Sequence, residues 1–594
     1  MGESVLTVFR RNALRLGTRI CFHYKDKGTW QTLSWVDAEE RVRRYALGLA
    51  GLGVKPGHKV AILAKTRLEW TLTDLAILAV QGVSVPIYST LTPEHVAYII
   101  KDADVSLLVV ENNNQLERIL PHLKDWKGTL LLMEGAADGI LRLEDLAERG
   151  KGLAVNLYDE NLKQIQPSDV ATIIYTSGTT GTPKGSIITH RNILAELEGL
   201  QGVFQFGPEK IGMMCLPLAH VIARAMQFYQ LAQGCQSAYC ESLDRLPVNL
   251  REIGPHFMAG VPRLFEKTHD KIMAQVHQAS GPVQKLFQWS LKIGAEVSMH
   301  LQRRLKIGLA LKLKWGLAHL LIFRKIRKGL GGRIDCFISG GAPLRKEIAQ
   351  FFHSVGILVA EGYGLTETFA AVALTRLDDF RFGTVGKPLD GIRIKIAKDG
   401  EICVKGDNVF SGYWHLKKET EESFDDEGWF LTGDIGEFTK DGFLRITDRK
   451  RDIIKTSGGK MVAPQAIESV MQQSRYIHQF MVYGEGKKFL SGLVTLNWGA
   501  VESFAKTNGI AFQDRQDLAE NPRIFDLIQE EINQKNRNLS NFETIKKFVI
   551  LPDDFSVESG ELTPTLKIKR NLISAKYKPV LDQLYFEPSE RGRV

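Results

Sequence analysis

Cysteine is scarce in this sequence, and none of its six cysteines belongs to a CxxC pair or to a cluster with histidine. That spacing argues against a disulfide framework and against a structural zinc site. The first residues also lack the apolar core of a signal peptide, and Leu6 stands where N-myristoylation favours Ser or Thr. We therefore expect a cytoplasmic protein with reduced thiols.

Acidic residues are absent from 297–333, a leucine-rich stretch that contains ten Lys and Arg residues. Its most apolar part, 306–323, approaches the length of a membrane span, but Lys312 and Lys314 lie near the middle. Each would cost about 2.5–3.5 kcal/mol at the centre of a bilayer, which argues against a span. Two interpretations remain open. The basic segment 297–334 makes peripheral contact with an anionic membrane on its cytoplasmic face, or it is a helical insertion packed on its own domain with solvated lysines.

The 594 residues exceed the usual size of one domain, and the 44% hydrophobic and 24% charged fractions are those of an ordinary globular protein. Near-continuous apolar runs at 59–64, Val105–Val110 and 170–175 alternate with helical patterns such as Pro93–Asp102. Such runs are typical of strands buried on both faces, so the sequence predicts an α/β fold with mostly parallel sheets. A run of charges at 448–452 is the expected domain boundary.

One loop has the composition of a phosphate-binding site. The segment Tyr175-Thr-Ser-Gly-Thr-Thr-Gly-Thr-Pro-Lys-Gly185 directly follows an apolar run. Glycines let a backbone approach a ligand closely, hydroxyls and amides can surround phosphate oxygens, and Lys184 adds a positive charge. The loop is not a Walker A motif, because Pro183 stands where that motif has glycine before its lysine. A hydroxyl-rich surface turn is the alternative explanation.

Further motifs follow in order, and together they resemble the adenylate-forming enzymes, a family that includes acyl-CoA synthetases, luciferases and the adenylation domains of peptide synthetases. These motifs are Leu216-Pro-Leu-Ala-His220, Gly260-Val-Pro-Arg263, Ser339-Gly-Gly-Ala-Pro343, Glu361-Gly-Tyr-Gly-Leu-Thr-Glu-Thr368, Gly383-Thr-Val-Gly-Lys-Pro388, Gly428-Trp-Phe-Leu-Thr-Gly-Asp434 and Asp448-Arg-Lys-Arg-Asp-Ile-Ile-Lys455. The resemblance extends from about residue 7 to about residue 570. It implies a large N-terminal domain of packed, mostly parallel sheets flanked by helices (1–447). It also implies a small mobile α+β lid domain (448–594) with a hinge near Arg451.

Within this family the sequence is most similar to the long-chain fatty-acyl-CoA synthetases. One sign is the helical basic insertion at about 265–333. The other is Gly560-Glu-Leu-Thr-Pro-Thr-Leu-Lys-Ile-Lys-Arg570, where Thr565 and Leu566 replace the Ser-Gly common in the family. The resemblance implies that a fatty acid carboxylate attacks the α-phosphate of MgATP to give acyl-AMP and pyrophosphate. The CoA thiol then displaces AMP. The expected activity is that of a long-chain fatty acid–CoA ligase that uses ATP, Mg²⁺ and CoA.

The resemblance also assigns the nucleotide site. Phosphate binding falls to Thr176, Ser177, Gly178, Thr179, Thr180, Gly181 and Lys184. The adenine pocket falls to Gly340, Gly341, Ala342 and Tyr363, with Glu361 and Gly362 beside it. Asp434 would accept hydrogen bonds from the ribose hydroxyls, with Arg449 next to it.

Four residues are expected at the chemical step. Thr366 would bind the α-phosphate and Glu367 the Mg²⁺. Lys567 would bridge the carboxylate oxygen and the α-phosphate, and the alignment of the residues after it favours it over Lys569. His220 would lie near the acyl carboxylate as a gate, or it is a structural histidine.

Two alternative functions remain to be weighed. A fatty acyl-AMP ligase that loads an acyl carrier protein shares every adenylation motif. The direct join of Gly442-Phe-Leu-Arg-Ile-Thr447 to the boundary at 448 favours CoA. A non-enzymatic relative that binds nucleotide or membrane would have lost Lys567, Glu367 or Asp434, and all three are present. The expected partners are thus a long-chain fatty acid and CoA, with no nucleic acid, and a homodimer is left open.

Overall fold

The computed structural model describes residues 4–154, 156–176, 183–556, 559–562 and 568–585. The chain forms two compact units. The first comprises 1–395, 403–431 and 438–445, and the second comprises 396–402, 432–437 and 446–594.

A seven-stranded sheet lies in the first unit, and its neighbouring strands are parallel except for the last pair. In sheet order the strands are Leu141–Arg142, Thr129–Leu132, Val105–Val110, Lys59–Leu63, Val83–Ile87, Val170–Thr176 and Lys184–Thr189. The central strands Lys59–Leu63 and Val105–Val110 are rich in Val, Ile and Leu, as expected for strands buried on both faces. The last two strands form an antiparallel pair in which Thr176 lies opposite Lys184.

This unit also contains a nine-stranded sheet. In sheet order its strands are Lys387–Pro388, Ala373–Leu374, Leu358–Tyr363, Cys336–Ser339, Phe257–Gly260, Ile211–Met214, Gln236–Tyr239, Ile20–Asp26 and Thr29–Ser34. The strand pairs from Leu358–Tyr363 to Ile20–Asp26 are parallel, and both edges are antiparallel. The predicted α/β fold with mostly parallel sheets is therefore confirmed.

Helices accompany both sheets. In the first unit they are Val5–Leu16, Trp35–Gly51, Leu68–Ala79, Pro93–Asp102, Asn113–Ile119, Leu146–Arg149, Leu157–Gln164, His190–Gln201, Val221–Gln233, Leu246–Ile253, Pro262–Gln278, Gly281–Gln302, Leu309–Ala318, Arg324–Gly329, Lys346–Ser354 and Lys417–Glu421. Helix Val221–Gln233 is anchored by a fully buried ion pair, in which Arg224 Nη2 lies 2.7 Å from an Asp74 oxygen. Arg224 Nη1 also donates to Thr172 at 2.6 Å. The ion pair joins this helix to helix Leu68–Ala79, and the Thr172 bond joins it to the seven-stranded sheet.

The expected insertion is helical and rests on its own unit along one side. Buried Ala318 and Phe323 pack against Val355 there. On the other side Leu309 and Leu313 are 74% and 67% exposed. Among the described residues, none of the helices combines the length and the apolar composition needed to cross a bilayer.

The second unit contains a three-stranded sheet of Ile477–Tyr483, Leu490–Leu496 and Ile545–Leu551, in which the first pair is antiparallel and the second parallel. Two short strands, Ile454–Lys455 and Met461–Val462, also pair. The helices are Pro464–Met471, Trp498–Thr507, Arg515–Glu520, Pro522–Asn536, Arg570–Lys576 and Lys578–Gln583. This confirms the smaller α+β C-terminal domain.

The segment from 393 to 449 contributes four more strands, and its residues are divided between the two units. The strands are Arg393–Ile396, Glu401–Lys405, Phe430–Phe438 and Leu444–Arg449. All six cysteines of the chain are free thiols, five buried and Cys215 partly buried.

Candidate active site

The ends of two neighbouring strands carry the expected phosphate-binding residues. Thr176 ends one strand and Lys184 begins the next, so both lie at the mouth of the intervening loop. The Lys184 ammonium lies 5.2 Å from the centre of the Tyr413 ring, within the range of a cation–π interaction. Tyr413 is held there by the backbone, because its neighbour Trp414 donates its N–H to the Gly185 carbonyl at 2.7 Å.

Tyr413 also contacts the expected metal ligand. Its hydroxyl donates to Glu367 Oε1 at 2.7 Å, and the Phe410 N–H donates to the Glu367 carbonyl at 2.7 Å. One aromatic residue therefore links the Lys184 ammonium to the Glu367 carboxylate. Mg²⁺ is commonly bound by one or two carboxylates together with substrate phosphates. A partly buried carboxylate with one oxygen fixed by a hydroxyl fits that requirement.

The expected adenine pocket lies at the carboxyl ends of two adjacent parallel strands, Cys336–Ser339 and Leu358–Tyr363. Ser339 pairs with Glu361, so the residues that follow each strand emerge at the same edge of the sheet. In α/β folds this edge is where ligands usually bind. Gly341 has a φ of +83°, a conformation that favours glycine.

Glu361, which also lies at this edge, is buried rather than exposed to solvent. Its side chain is 8% exposed, and burial raises its pKa to about 8, although a hydrogen bond from the Leu344 backbone opposes the shift. The carboxyl is thus mostly protonated at neutral pH and ties the segment after Ser339 to the strand Leu358–Tyr363.

Thr366 and Glu367 lie in a tight turn that requires glycine beside it. A Cβ on Gly364 would lie 1.5 Å from the Ala370 carbonyl oxygen, so no larger residue fits there without moving the backbone. Thr366–Thr368 form a single 3-10 turn. Packing alone therefore explains why glycine stands at position 364, independently of any ligand.

His220 occupies the N-cap of helix Val221–Gln233, where its Nδ1 accepts a hydrogen bond from the Ile222 N–H at 3.2 Å. Because Nδ1 accepts this hydrogen bond, a neutral His220 ring carries its proton on Nε2. The contact gives His220 a structural role as a helix cap, and a role in gating would be additional to it.

In the second unit, Asp434 and Arg449 form an ion pair. Arg449 Nε lies 3.1 Å from Asp434 Oδ1, and the aspartate side chain is 4% exposed. The backbone around Asp434 is fixed, because Thr432 Oγ1 accepts its N–H at 3.1 Å and donates to the Ile402 carbonyl at 2.7 Å. The two residues expected at the ribose are thus adjacent to each other.

Six of the expected site residues lie outside the described residues, and the structure neither supports nor opposes their roles. They are Ser177, Gly178, Thr179, Thr180, Gly181 and Lys567.

Residues 9–414 match the AMP-binding enzyme family, and residues 451–588 match the AMP-binding enzyme C-terminal domain. The chain belongs to the AMP-binding enzyme family. Its similarity to relatives of this family extends along nearly the whole chain. The long-chain-fatty-acid–CoA ligase FadD15 of Mycobacterium bovis is 36% identical over 569 residues, which cover 94% of this chain and 93% of that protein. The human long-chain-fatty-acid–CoA ligase ACSBG2 is 31% identical over 621 residues, which cover 98% and 93% of the two chains.

Solved structures agree with the fold of this AMP-binding enzyme. ATP-bound MatB from Rhodopseudomonas palustris gives a TM-score of 0.71 at 21% identity and covers 97% of this chain and 100% of that one. The adenylation domain of a carboxylate reductase from Mycobacterium chelonae gives 0.74 at 21% identity, covering 98% and 91%. At that identity the likeness concerns the fold alone. The resemblance to adenylate-forming enzymes, and to their long-chain group, is confirmed by the family match and the relatives.

Tyr413 of this AMP-binding enzyme was not among the residues expected from the sequence. The residue stands 46 positions after Glu367, in the short motif Ser411-Gly-Tyr413, and no spacing rule connects the two. A glycine followed by an aromatic residue shortly after the strand Glu401–Lys405 was the available signal.

Proposed function

We propose that this protein is a long-chain fatty acid–CoA ligase. The reaction converts a fatty acid and ATP into acyl-AMP and pyrophosphate, and the CoA thiol then displaces AMP to give the acyl-CoA thioester. The proposal rests on the arrangement Lys184–Tyr413–Glu367, in which one tyrosine contacts a cation through its ring and the candidate metal-binding carboxylate through its hydroxyl. The names of the curated relatives support the choice of acid and acceptor.

Charge repulsion is the main obstacle to the first half-reaction, because a carboxylate attacks a polyanion. Lys184, at the end of the loop that follows Thr176, offsets the charge of the β- and γ-phosphates. Thr366 binds the α-phosphate. Mg²⁺, when bound at Glu367, would neutralise phosphate charge and favour pyrophosphate as the leaving group. The Tyr413 hydroxyl holds the Glu367 carboxylate in one orientation.

The nucleoside part is bound by backbone and by one ion-paired carboxylate. Gly340, Gly341 and Ala342 read the edge of adenine, and the Tyr363 ring stacks on its face. Asp434 accepts the ribose hydroxyls, oriented by Arg449 at 3.1 Å. Because Arg449 already neutralises the aspartate, the site does not add an uncompensated negative charge close to ATP.

The C-terminal residues complete the cycle in this proposal. Lys567 stabilises charge between the acyl carboxylate and the α-phosphate during adenylation. The domain 448–594 then turns about a hinge near Arg451, removing Lys567 and admitting CoA. His220, which caps its helix through Nδ1, gates the acyl carboxylate with the other side of its ring.

Pyrophosphate release with MgATP tests the proposal. The purified enzyme is given acetate, octanoate, laurate, palmitate or oleate, each with and without CoA. We expect turnover that is greatest with the long acids and continues only when CoA is present. Release of one equivalent of pyrophosphate that CoA does not accelerate, with acyl-AMP retained, would instead support loading of an acyl carrier protein. The sequence leaves a homodimer open, and light scattering of the eluted enzyme would decide between monomer and dimer.

We also propose that the insertion contacts an anionic membrane from which the fatty acid is drawn. Leu309, Leu313 and Leu317 are 74%, 67% and 49% exposed and recur every four residues along helix Leu309–Ala318. Leu320 and Leu321 are 61% and 45% exposed. Exposed lysines and arginines surround these leucines, namely Lys306, Lys312, Lys314, Arg324, Lys325 and Lys328. Each adds about 1 kcal/mol of attraction at an anionic surface.

Binding to vesicles tests this contact. Vesicles of phosphatidylglycerol and phosphatidylcholine are compared with vesicles of phosphatidylcholine alone. We expect glutamine at Lys312, Lys314, Arg324 and Lys325 to weaken binding to the anionic vesicles at least tenfold and to leave octanoate activation unchanged. Arg327 is kept, because it donates to the Ile334 carbonyl at 2.8 Å and holds the backbone.

A matched control removes the same number of charges elsewhere, with glutamine at the exposed residues Lys55, Lys124, Lys127 and Lys163. Equal weakening by both sets would mean that net charge acts without a defined surface, and unchanged binding by the first set would refute the proposal.

A further inference from the structure

Helix His190–Gln201 carries a buried carboxyl that the proposed mechanism does not use. Glu196 is fully buried, whereas Glu198, two residues later, is exposed. The groups that bond its carboxyl among the described residues are neutral. The Ala371 N–H donates to Oε1 at 2.9 Å, and the Asn408 amide interacts with the same carboxyl. Burial raises the pKa of Glu196 well above its ordinary value, which favours the protonated form.

Asn408 is oriented by two backbone carbonyls. Its Nδ2 donates to the Thr368 carbonyl at 2.9 Å and to the Ala371 carbonyl at 3.3 Å. The amide oxygen Oδ1 must therefore be on the opposite side of the group. Within the described part of the chain, Oδ1 and Glu196 Oε2 are both buried acceptors that lack a hydrogen-bond donor. A proton on Oε2 would turn one of these two buried acceptors into a donor.

The backbone that these groups contact is strained. After the 3-10 turn Thr366–Thr368, Phe369 has a φ of 42° and Ala370 a φ of 93°, both in the region that favours glycine. Residues that carry a side chain adopt such backbone angles only where the surrounding structure imposes them. The contacts on this turn are therefore the reason that it keeps its shape.

The same helix also holds the segment that carries Asn408. Asn192 Nδ2 donates to the carbonyls of Asp407 and Val409, each at 2.8 Å. The next residue, Phe410, donates its N–H to the Glu367 carbonyl at 2.7 Å. Hydrogen bonds thus connect one face of the helix, through the segment 407–410, to Glu367 and to Thr368 and Ala371 after it.

We propose that Glu196 in its neutral form and Asn408 make a buried clamp that fixes the strained loop 366–371 and so orients Thr366 and Glu367. The inference rests on the proposed function, because it gives this loop its importance in adenylation. Glu196 contacts no substrate and is a positioning residue. A rigid loop matters because a displacement of about 1 Å at reacting groups can cost about a hundredfold in rate.

Two variants test whether Glu196 acts through hydrogen bonds or through a negative charge. Glu196→Gln removes the ability to carry a charge and keeps a side chain that can bond, whereas Glu196→Ala removes both. Glutamine keeps the bond to Ala371, since its oxygen accepts from the Ala371 N–H, and its amide N–H takes the place of the carboxyl O–H. We expect Glu196→Gln to keep kcat within about twofold of the native enzyme, while Glu196→Ala lowers kcat for pyrophosphate release by about a hundredfold. In Glu196→Ala the half-saturating Mg²⁺ concentration should rise and the KM for palmitate should stay unchanged. Glu198→Ala, an exposed change on the same helix, is the matched control.

A second measurement does not depend on turnover. The infrared difference spectrum between native enzyme and Glu196→Gln at neutral pH should contain the carbonyl band of one protonated carboxylic acid. Absence of that band, or a Glu196→Gln variant as impaired as Glu196→Ala, would overturn the neutral clamp. Should Glu196→Ala fail to fold, Asn408→Ser removes the other half and should produce the same rise in half-saturating Mg²⁺. A native-like Mg²⁺ response in a folded variant of either kind would also overturn the clamp. A native enzyme without pyrophosphate release would refute the proposed function instead and leave the infrared result standing.

Discussion

The hydroxyl of Tyr413 can be removed without removing its ring, which allows the proposed metal site to be tested by one atom. The hydroxyl donates to Glu367 Oε1 at 2.7 Å, while the ring centre lies 5.2 Å from the Lys184 ammonium. Tyr413→Phe abolishes the first contact and keeps the second. A hydrogen bond to a charged group contributes about 1.5–3 kcal/mol. Loss of a group that orients a metal ligand typically weakens metal affinity or activity by about tenfold to a hundredfold.

We therefore expect the half-saturating Mg²⁺ concentration of Tyr413→Phe to rise by about tenfold to a hundredfold. The KM for palmitate should not change. The assay is pyrophosphate release at saturating palmitate and CoA, with free Mg²⁺ varied at constant ATP. Tyr483→Phe is the matched control, because that tyrosine also donates to a carboxylate, Asp582, in the second unit. A Tyr413→Phe enzyme with the native Mg²⁺ dependence would refute the reasoning, and additive effects with Glu367→Gln would show that the two residues act separately.

Two further predictions follow from the same edge of the sheet. Gly364→Ala should lower the melting temperature and abolish adenylation, since its Cβ would lie 1.5 Å from the Ala370 carbonyl, whereas Gly207→Ala, with nothing within 4 Å, should change neither. Glu361 has a pKa raised from 4.5 to about 8 by burial, so its contribution to stability is fully present below pH 4.5 and is lost as the pH rises through 8. Between pH 4.5 and pH 8 the melting temperature of Glu361→Gln should therefore fall less than that of the native enzyme. Parallel curves of melting temperature against pH, measured by calorimetry, would contradict the assignment.

Local sequence patterns were sufficient to predict some of the strands and helices. Val105–Val110 and Pro93–Asp102 were predicted with the bounds that the structure has, because continuous apolar runs and a helical pattern that begins with proline depend on neighbouring residues alone. The adenine-pocket residues were expected from the family resemblance alone. The structure adds that the two segments emerge at one edge of the sheet, since parallel strands bring their carboxyl ends together.

Contacts between distant segments could not be predicted in this way. Tyr413 meets Glu367 because backbone bonds from Phe410 to Glu367 and from Trp414 to Gly185 hold its segment in place. Glu196 looks like a solvated residue in Ala195-Glu-Leu-Glu198, and only the packed structure distinguishes it from its exposed neighbour. Arg327 likewise appeared to be one of several surface charges, whereas its guanidinium bonds to the Ile334 carbonyl.

The buried thiols have a practical consequence for an enzyme that handles activated acyl groups. Thiolates, rather than thiols, are the reactive species, and burial raises the pKa of Cys21 and Cys336 and raises that of Cys240 to about 11. Such groups compete poorly with the thiol of a free cosubstrate, so the protein is guarded against acylating itself. A cysteine introduced at an exposed position would in turn react with maleimide dyes far faster than the native six. Fluorescent reporters of the proposed domain movement can therefore be attached without first removing a single natural cysteine.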